Sequence, residues 1–106
     1  MTVGPLFAAS SEEDDYAAAV RAYEDELWDR AERALGEFIQ KYPHSARRPL
    51  ATLLRAQALC QLNRAPEAVE LLTVESANAG TLADAFLFWR AEAEQQRGQH
   101  RQAAAA

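Results

Sequence analysis

Glu26-Leu27-Trp28-Asp29-Arg30-Ala31, followed by Leu35, Phe38 and Tyr42-Pro43, is the stretch whose reading decides the fold, because its pattern returns further along the chain. The second copy is Asn63-Arg64-Ala65-Pro66-Glu67-Ala68 with Leu72 after it. The third is Gly98-Gln99-His100-Arg101-Gln102-Ala103. Twelve residues upstream of each turn-side alanine lies another: Ala19 before Ala31, Ala56 before Ala68, Ala91 before Ala103. Small residues thus recur where two helices have to approach closely, at steps of 37 and 35 residues. A period of that length predicts an all-α chain built as an α-solenoid of antiparallel helix pairs, with about two and a half repeats. Stacked repeats of this kind serve binding, so binding and not catalysis is the expected function.

Caps and periodicity place the helices. Ser10 or Ser11, with Glu13 or Asp14 three residues on, forms a capping box that opens a helix running to about Glu26, in which Tyr16, Ala19, Val20 and Tyr23 share one face. A second helix is expected from Asp29 to Tyr42, ended by Pro43 and striped by Ala31, Ala34, Leu35, Phe38 and Ile39. The third begins near Ser45 to Pro49 and turns Leu50, Leu53, Leu54, Ala58 and Leu62 inward. Its partner starts around Pro66 and carries Ala68, Val69, Leu71 and Leu72. After a break at Ser76-Ala77-Asn78-Ala79-Gly80, Thr81 with Asp84 caps a helix from about Leu82 to Arg97, which Gly98 is expected to terminate. The domain reading is an extension over residues 1–11, then repeats over 12–43 and 44–80, and a truncated repeat over 81–106.

Composition excludes several classes. About half of the 106 residues are apolar and a quarter charged, as in ordinary globular or repeat domains. A net charge of −5, with Arg47-Arg48 as the one basic cluster, argues against nucleic acid, which needs a basic surface. With a single cysteine, Cys60, no internal disulfide can form. His44 and His100 lack neighbouring ligands, so neither metal nor other cofactor is expected. No apolar run reaches the roughly eighteen residues of a membrane span. The acidic run Glu12-Glu13-Asp14-Asp15 suits a helix start, and no nucleophile elbow, phosphate loop or paired metal motif is present.

The recurring positions resemble the tetratricopeptide repeat family from about Glu12 onward. The shared pattern is glycine or a polar residue, an aromatic two on, alanine three further, a large apolar residue four further, and proline eight further. Copy one supplies Glu26, Trp28, Ala31, Leu35 and Pro43; copy two Asn63, Ala65, Ala68 and Leu72; copy three Gly98, His100 and Ala103. The family's glycine early in each first helix is replaced by Ala19, Ala56 and Ala91, and copy two lacks the closing proline. The ending Phe38-x-x-x-Tyr42-Pro43-x-Ser45 is similar to repeats of bacterial envelope proteins, such as the periplasmic Tol-Pal coordinator and outer-membrane assembly lipoproteins. That similarity implies the periplasm or cell envelope, the cytoplasm being the alternative.

The resemblance implies that the first helix of each pair lines a concave face, carrying Tyr16, Val20 and Tyr23, then Leu53, Gln57 and Cys60, then Phe88, Glu92 and Gln95. The Lys and Asn positions of a carboxylate clamp are absent. An extended or helical peptide with apolar anchors is therefore the expected partner; the same aromatics could instead complete inter-helix packing. Val3, Leu6 and Phe7, in a short apolar start that also reads as the tail of a trimmed export signal, could fill the groove themselves. Structural self-association is the alternative function. The last helix carries Phe86 and Trp89, whose exposure forfeits roughly 1.5 to 3 kcal/mol each, so either the natural protein continues past Ala106 or a homodimer covers this end.

Overall fold

The computed structural model describes residues 11–105, and among them every regular element is helical. The helices are α1 (Glu12–Glu24), α2 (Trp28–Lys41), α3 (Arg48–Gln61), α4 (Ala65–Val74) and α5 (Ala83–Ala105); two short 3₁₀ turns, Glu75–Asn78 and Gly80–Leu82, link the last two. Each helix packs on the next in sequence, and α3 also touches α1 and α5.

Ser11 is the N-cap of α1, its Oγ accepting a hydrogen bond from the Asp14 amide at 3.1 Å. The four acids that follow occupy the first turn, where the exposed amides and the helix dipole favour negative charge. At its C-terminus the chain makes a Schellman turn: the Leu27 amide donates to Ala22 O at 3.0 Å and the Glu26 amide to Tyr23 O. The same turn closes α3, with the Arg64 amide donating to Leu59 O at 2.8 Å and the Asn63 amide to Cys60 O. Both turns need a left-handed residue, and Glu26 and Asn63, 37 positions apart, each take φ 60°. A side chain in that region costs about 1–2 kcal/mol, less for asparagine. We therefore expect Glu26→Gly to stabilise the fold by about 0.5–1 kcal/mol, the gain being reduced by glycine's greater freedom when unfolded. A urea midpoint that falls would show that Glu26 makes a compensating contact.

The Tyr42-Pro43-His44-Ser45 ending closes the α1–α2 pair. The Tyr42 hydroxyl donates to Asp15 at 2.7 Å, and Ser45 Oγ donates to Glu12 at 2.6 Å while accepting from the Arg47 amide. Pro49 and Pro66 sit in the first turns of α3 and α4, where a missing N–H leaves no bond unmade.

Two cores result, with α3 between them. Ala19, Ala22, Ala31, Leu35 and Phe38 form the first with Ala51 and Ala58 of α3. Leu53, Ala56 and Leu59, from the rest of the α3 surface, form the second with Ala68, Leu72, Phe86 and Ala93. A helix buried along two flanks has few polar positions left, which accounts for the apolar bias of Leu50–Cys60, broken by Thr52, Arg55 and Gln57.

The C-terminal helix departs from expectation in two ways. Gly98 does not end a helix: α5 runs 23 residues, straight through Gly98 to Ala105. At Glu26 and Asn63 reversal is rewarded, because Ala31 and Leu35, or Ala68 and Leu72, then fold back into a core. Residues 99–106 contain no large apolar side chain to repeat that, and continuing the helix preserves its hydrogen bonds at a glycine penalty of only about 1 kcal/mol. The register also differs, since Ala91 is exposed and Ala93 is fully buried. Ala19, Ala56 and Ala93 are thus the equivalent close-approach positions, at an unbroken 37-residue step.

Candidate functional site

A groove of about 420 Å³ runs between the C-terminal end of α3 and the exposed flank of α5. Its α5 wall is Trp89, Glu92, Gln95, Gln96 and Gln99, spacings of three and four that place them on one helical stripe. The facing wall is Cys60, Gln61 and Asn63, the last held outward by the Schellman turn. Five of these eight side chains are carboxamides, each offering both donor and acceptor. Glu92 is the one ionisable carboxylate in the lining, and Trp89, half-buried against the second core, supplies the aromatic surface. Phe88 meets Trp89 edge-on, with ring centres 5.4 Å apart, and is itself 57% exposed.

Gln96 braces the two walls: its Nε2 donates to Cys60 O at 3.0 Å. Its Oε1 is buried with no hydrogen-bond partner among the described residues. Cys60 is half-buried, and its thiol pKa is raised, first by burial and then by the nearby Glu92 charge. Nucleophilic cysteines need the opposite shift. Cys60 should therefore react slowly with iodoacetamide at neutral pH, and Glu92→Gln should speed the reaction roughly twofold by removing like-charge repulsion of the thiolate. An unchanged rate would mean that Glu92 does not act on the sulfur.

The positions expected to form a concave face are sorted by the structure. Cys60, Glu92 and Gln95 come together in the groove. Tyr23 and Gln57 are joined instead, the Tyr23 hydroxyl donating to Gln57 Oε1 while its ring meets Trp28 edge-on at 5.3 Å. Tyr16 lies 5.3 Å from Phe38, under the Arg47 guanidinium, and Val20 is half-buried nearby on α1. Tyr16 and Tyr23 pack on the first core, and Gln57 ties α3 to α1. Leu53, 7% exposed, belongs to the second core and is not part of this groove's lining. Of the pair expected to mediate self-association, Phe86 is only 3% exposed, covered by this chain's own α3 and α4, and Trp89 packs on the same cluster. The outward apolar residues of α5 are Leu87 and Phe88. Val3, Leu6 and Phe7 lie outside the described residues.

Gln61, Asn63, Gln96 and Gln99 were not anticipated as site residues. The signal for the last two was the run Gln95-Gln96-x-x-Gln99, at helical spacing from Trp89 and Glu92. Beyond Gln99 the groove adjoins a second cavity of about 370 Å³, where Arg97, His100 and Arg101 gather over Ala65 and Pro66.

Among the described residues no group of three or more His, Cys, Asp or Glu side chains could hold a metal ion, and no helix is long and apolar enough to cross a membrane. No family model matches the chain, and neither a curated protein nor a solved structure matches it.

Proposed function

We propose that this chain is a tetratricopeptide-like helical repeat module whose function is to hold a peptide segment of a partner protein, with no catalytic role. The observation that carries the reading is the groove itself: an open trough walled by carboxamides, with one carboxylate and the half-buried Trp89 at one end, where the exposed Phe88 ring meets Trp89 from outside the lining. Carboxamides match the donors and acceptors of a peptide main chain, and the aromatic pair offers an apolar side chain a place to bury. The repeat architecture is supported by the 37-residue recurrence of buried alanines and by the paired Schellman turns at Glu26 and Asn63. The similarity of the Tyr42-Pro43-His44-Ser45 ending supports assigning the module to a bacterial envelope complex, although here its Tyr and Ser close the α1–α2 pair.

An array of unrelated dodecapeptides, probed with the wild-type chain and with Gln95→Arg, tests the reading. Gln95 is exposed, so this variant keeps its fold while obstructing the trough. Peptides retained by the wild type and lost by the variant are expected; identical staining by both would refute groove binding. The exposure of Leu87 and Phe88, 62% and 57%, favours a second reading, a homodimer through this edge of α5. Sedimentation of wild type against Phe88→Ser decides it: a dimer that the serine dissolves supports self-association, and a wild-type monomer at high concentration removes it.

A further inference from the structure

Building on the peptide-binding reading, we propose that the groove selects an extended segment carrying an apolar residue and, two positions along, a lysine or arginine. The register follows from comparing two rises. The groove wall on α5 runs from Trp89 to Gln99, so the trough follows the helix axis for about 15 Å at 1.5 Å per residue. That accommodates four or five residues of extended chain at about 3.3 Å each.

The aromatic pair Phe88 and Trp89 precedes Glu92 by three to four helical residues, a separation of about 4.5–6 Å along the axis. An extended peptide crosses that distance in two residues, and residues two apart point to the same side. A spacing of one or three would turn one of the two side chains away from the wall. The anchor therefore sits on Trp89, at the edge where Phe88 packs against it, while the side chain two positions on reaches Glu92, the one carboxylate of the lining. A cation placed further along meets Arg97, His100 and Arg101 in the adjoining cavity. Charge thus fixes which position is basic. The carboxamides of Gln95 and Gln99, one and two turns past Glu92, bond the main chain beyond the basic residue without regard to its sequence.

Three acetylated heptapeptides, Gly-Ser-Leu-Ser-Arg-Ser-Gly, its isomer Gly-Ser-Leu-Arg-Ser-Ser-Gly, and the acidic analogue Gly-Ser-Leu-Ser-Glu-Ser-Gly, test the spacing and the charge. Each is titrated into the full chain, with amide chemical shifts recorded to read millimolar affinities. The first is expected to bind about two- to fivefold more tightly than the other two, as one exposed ion pair allows. Glu92→Lys should reverse the order of the basic and acidic peptides, and Phe88→Ala should weaken all three. Equal affinity for the isomers, or a Glu92→Lys variant that keeps the wild-type preference, overturns the register while leaving the groove reading in place, provided Gln95→Arg abolishes binding. Groove amides that none of the peptides shifts overturn the register outright, and a peptide array that also fails refutes peptide binding itself.

Discussion

Arg55→Ala is expected to lower stability by about 3 kcal/mol, the largest loss that removal of a polar side chain should cause here. Glu32 on α2 is 5% exposed, and its Oε1 accepts from Arg55 Nε at 3.0 Å and Nη2 at 2.9 Å. Its other oxygen lies 3.7 Å from Arg64, which is itself engaged bidentately by Glu67. Without Arg55 a buried carboxylate keeps only that distant partner. Gly36 shows how closely the arrangement is built, since a Cβ there would stand 3.0 Å from Arg55 Cζ. The pair joins α2 to α3, the contact between successive helix pairs, and so its loss loosens the junction of the two cores. At about 4–8 °C per kcal/mol, thermal unfolding should begin some 12–24 °C lower. Glu32→Leu combined with Arg55→Leu should recover most of this, because an apolar pair leaves no charge uncompensated. Urea unfolding of the three proteins checks it; a single-variant loss under about 1 kcal/mol would show that water reaches Glu32.

Ala93→Leu should cost about 2–3 kcal/mol, while Ala91→Leu should lie within about 0.5 kcal/mol of wild type. Ala93 is fully buried where α5 meets the second core, beside Leu59 and Phe86, and three additional carbons there force the helices apart. Ala91 is exposed. The two positions are equally good alanines on one helix, so helix propensity is the same for both and only burial separates them. Equal costs would mean that α5 is rotated from the orientation described, and the groove wall with it.

Much of the fold was legible because its determinants are local. Ser11 with its acidic first turn, prolines in the first turns of α3 and α4, and the Ala31-Leu35-Phe38 stripe each specify an element without reference to distant residues. The left-handed turns at Glu26 and Asn63 were legible as a repeat but not as strained positions, since neither is glycine. Gly98 misled for the complementary reason: glycine permits a turn, but residues must follow that gain by folding back, and none of 99–106 is a large apolar residue. The site was less legible. Cys60, Glu92 and Gln95, grouped through the repeat pattern, line one groove, whereas Leu53, placed by the same pattern, and Phe86, expected at an outer face, lie in the core. Helical spacing identifies a face and says nothing about which neighbour covers it.

The sequence by itself determined that the chain is helical, where most helices begin and end, and that small residues return every 35 to 37 positions to let helices approach. Those properties depend on backbone hydrogen bonding and side-chain size within a few turns. Only the tertiary structure decided that Ala93 rather than Ala91 faces the core, that Arg55 meets Glu32, and that Tyr23 and Gln57 bond to each other. It also decided that an amide-lined trough opens beside Trp89. Each depends on the rotation of one helix about its axis relative to another, and that angle is set by how both cores close around α3 at once.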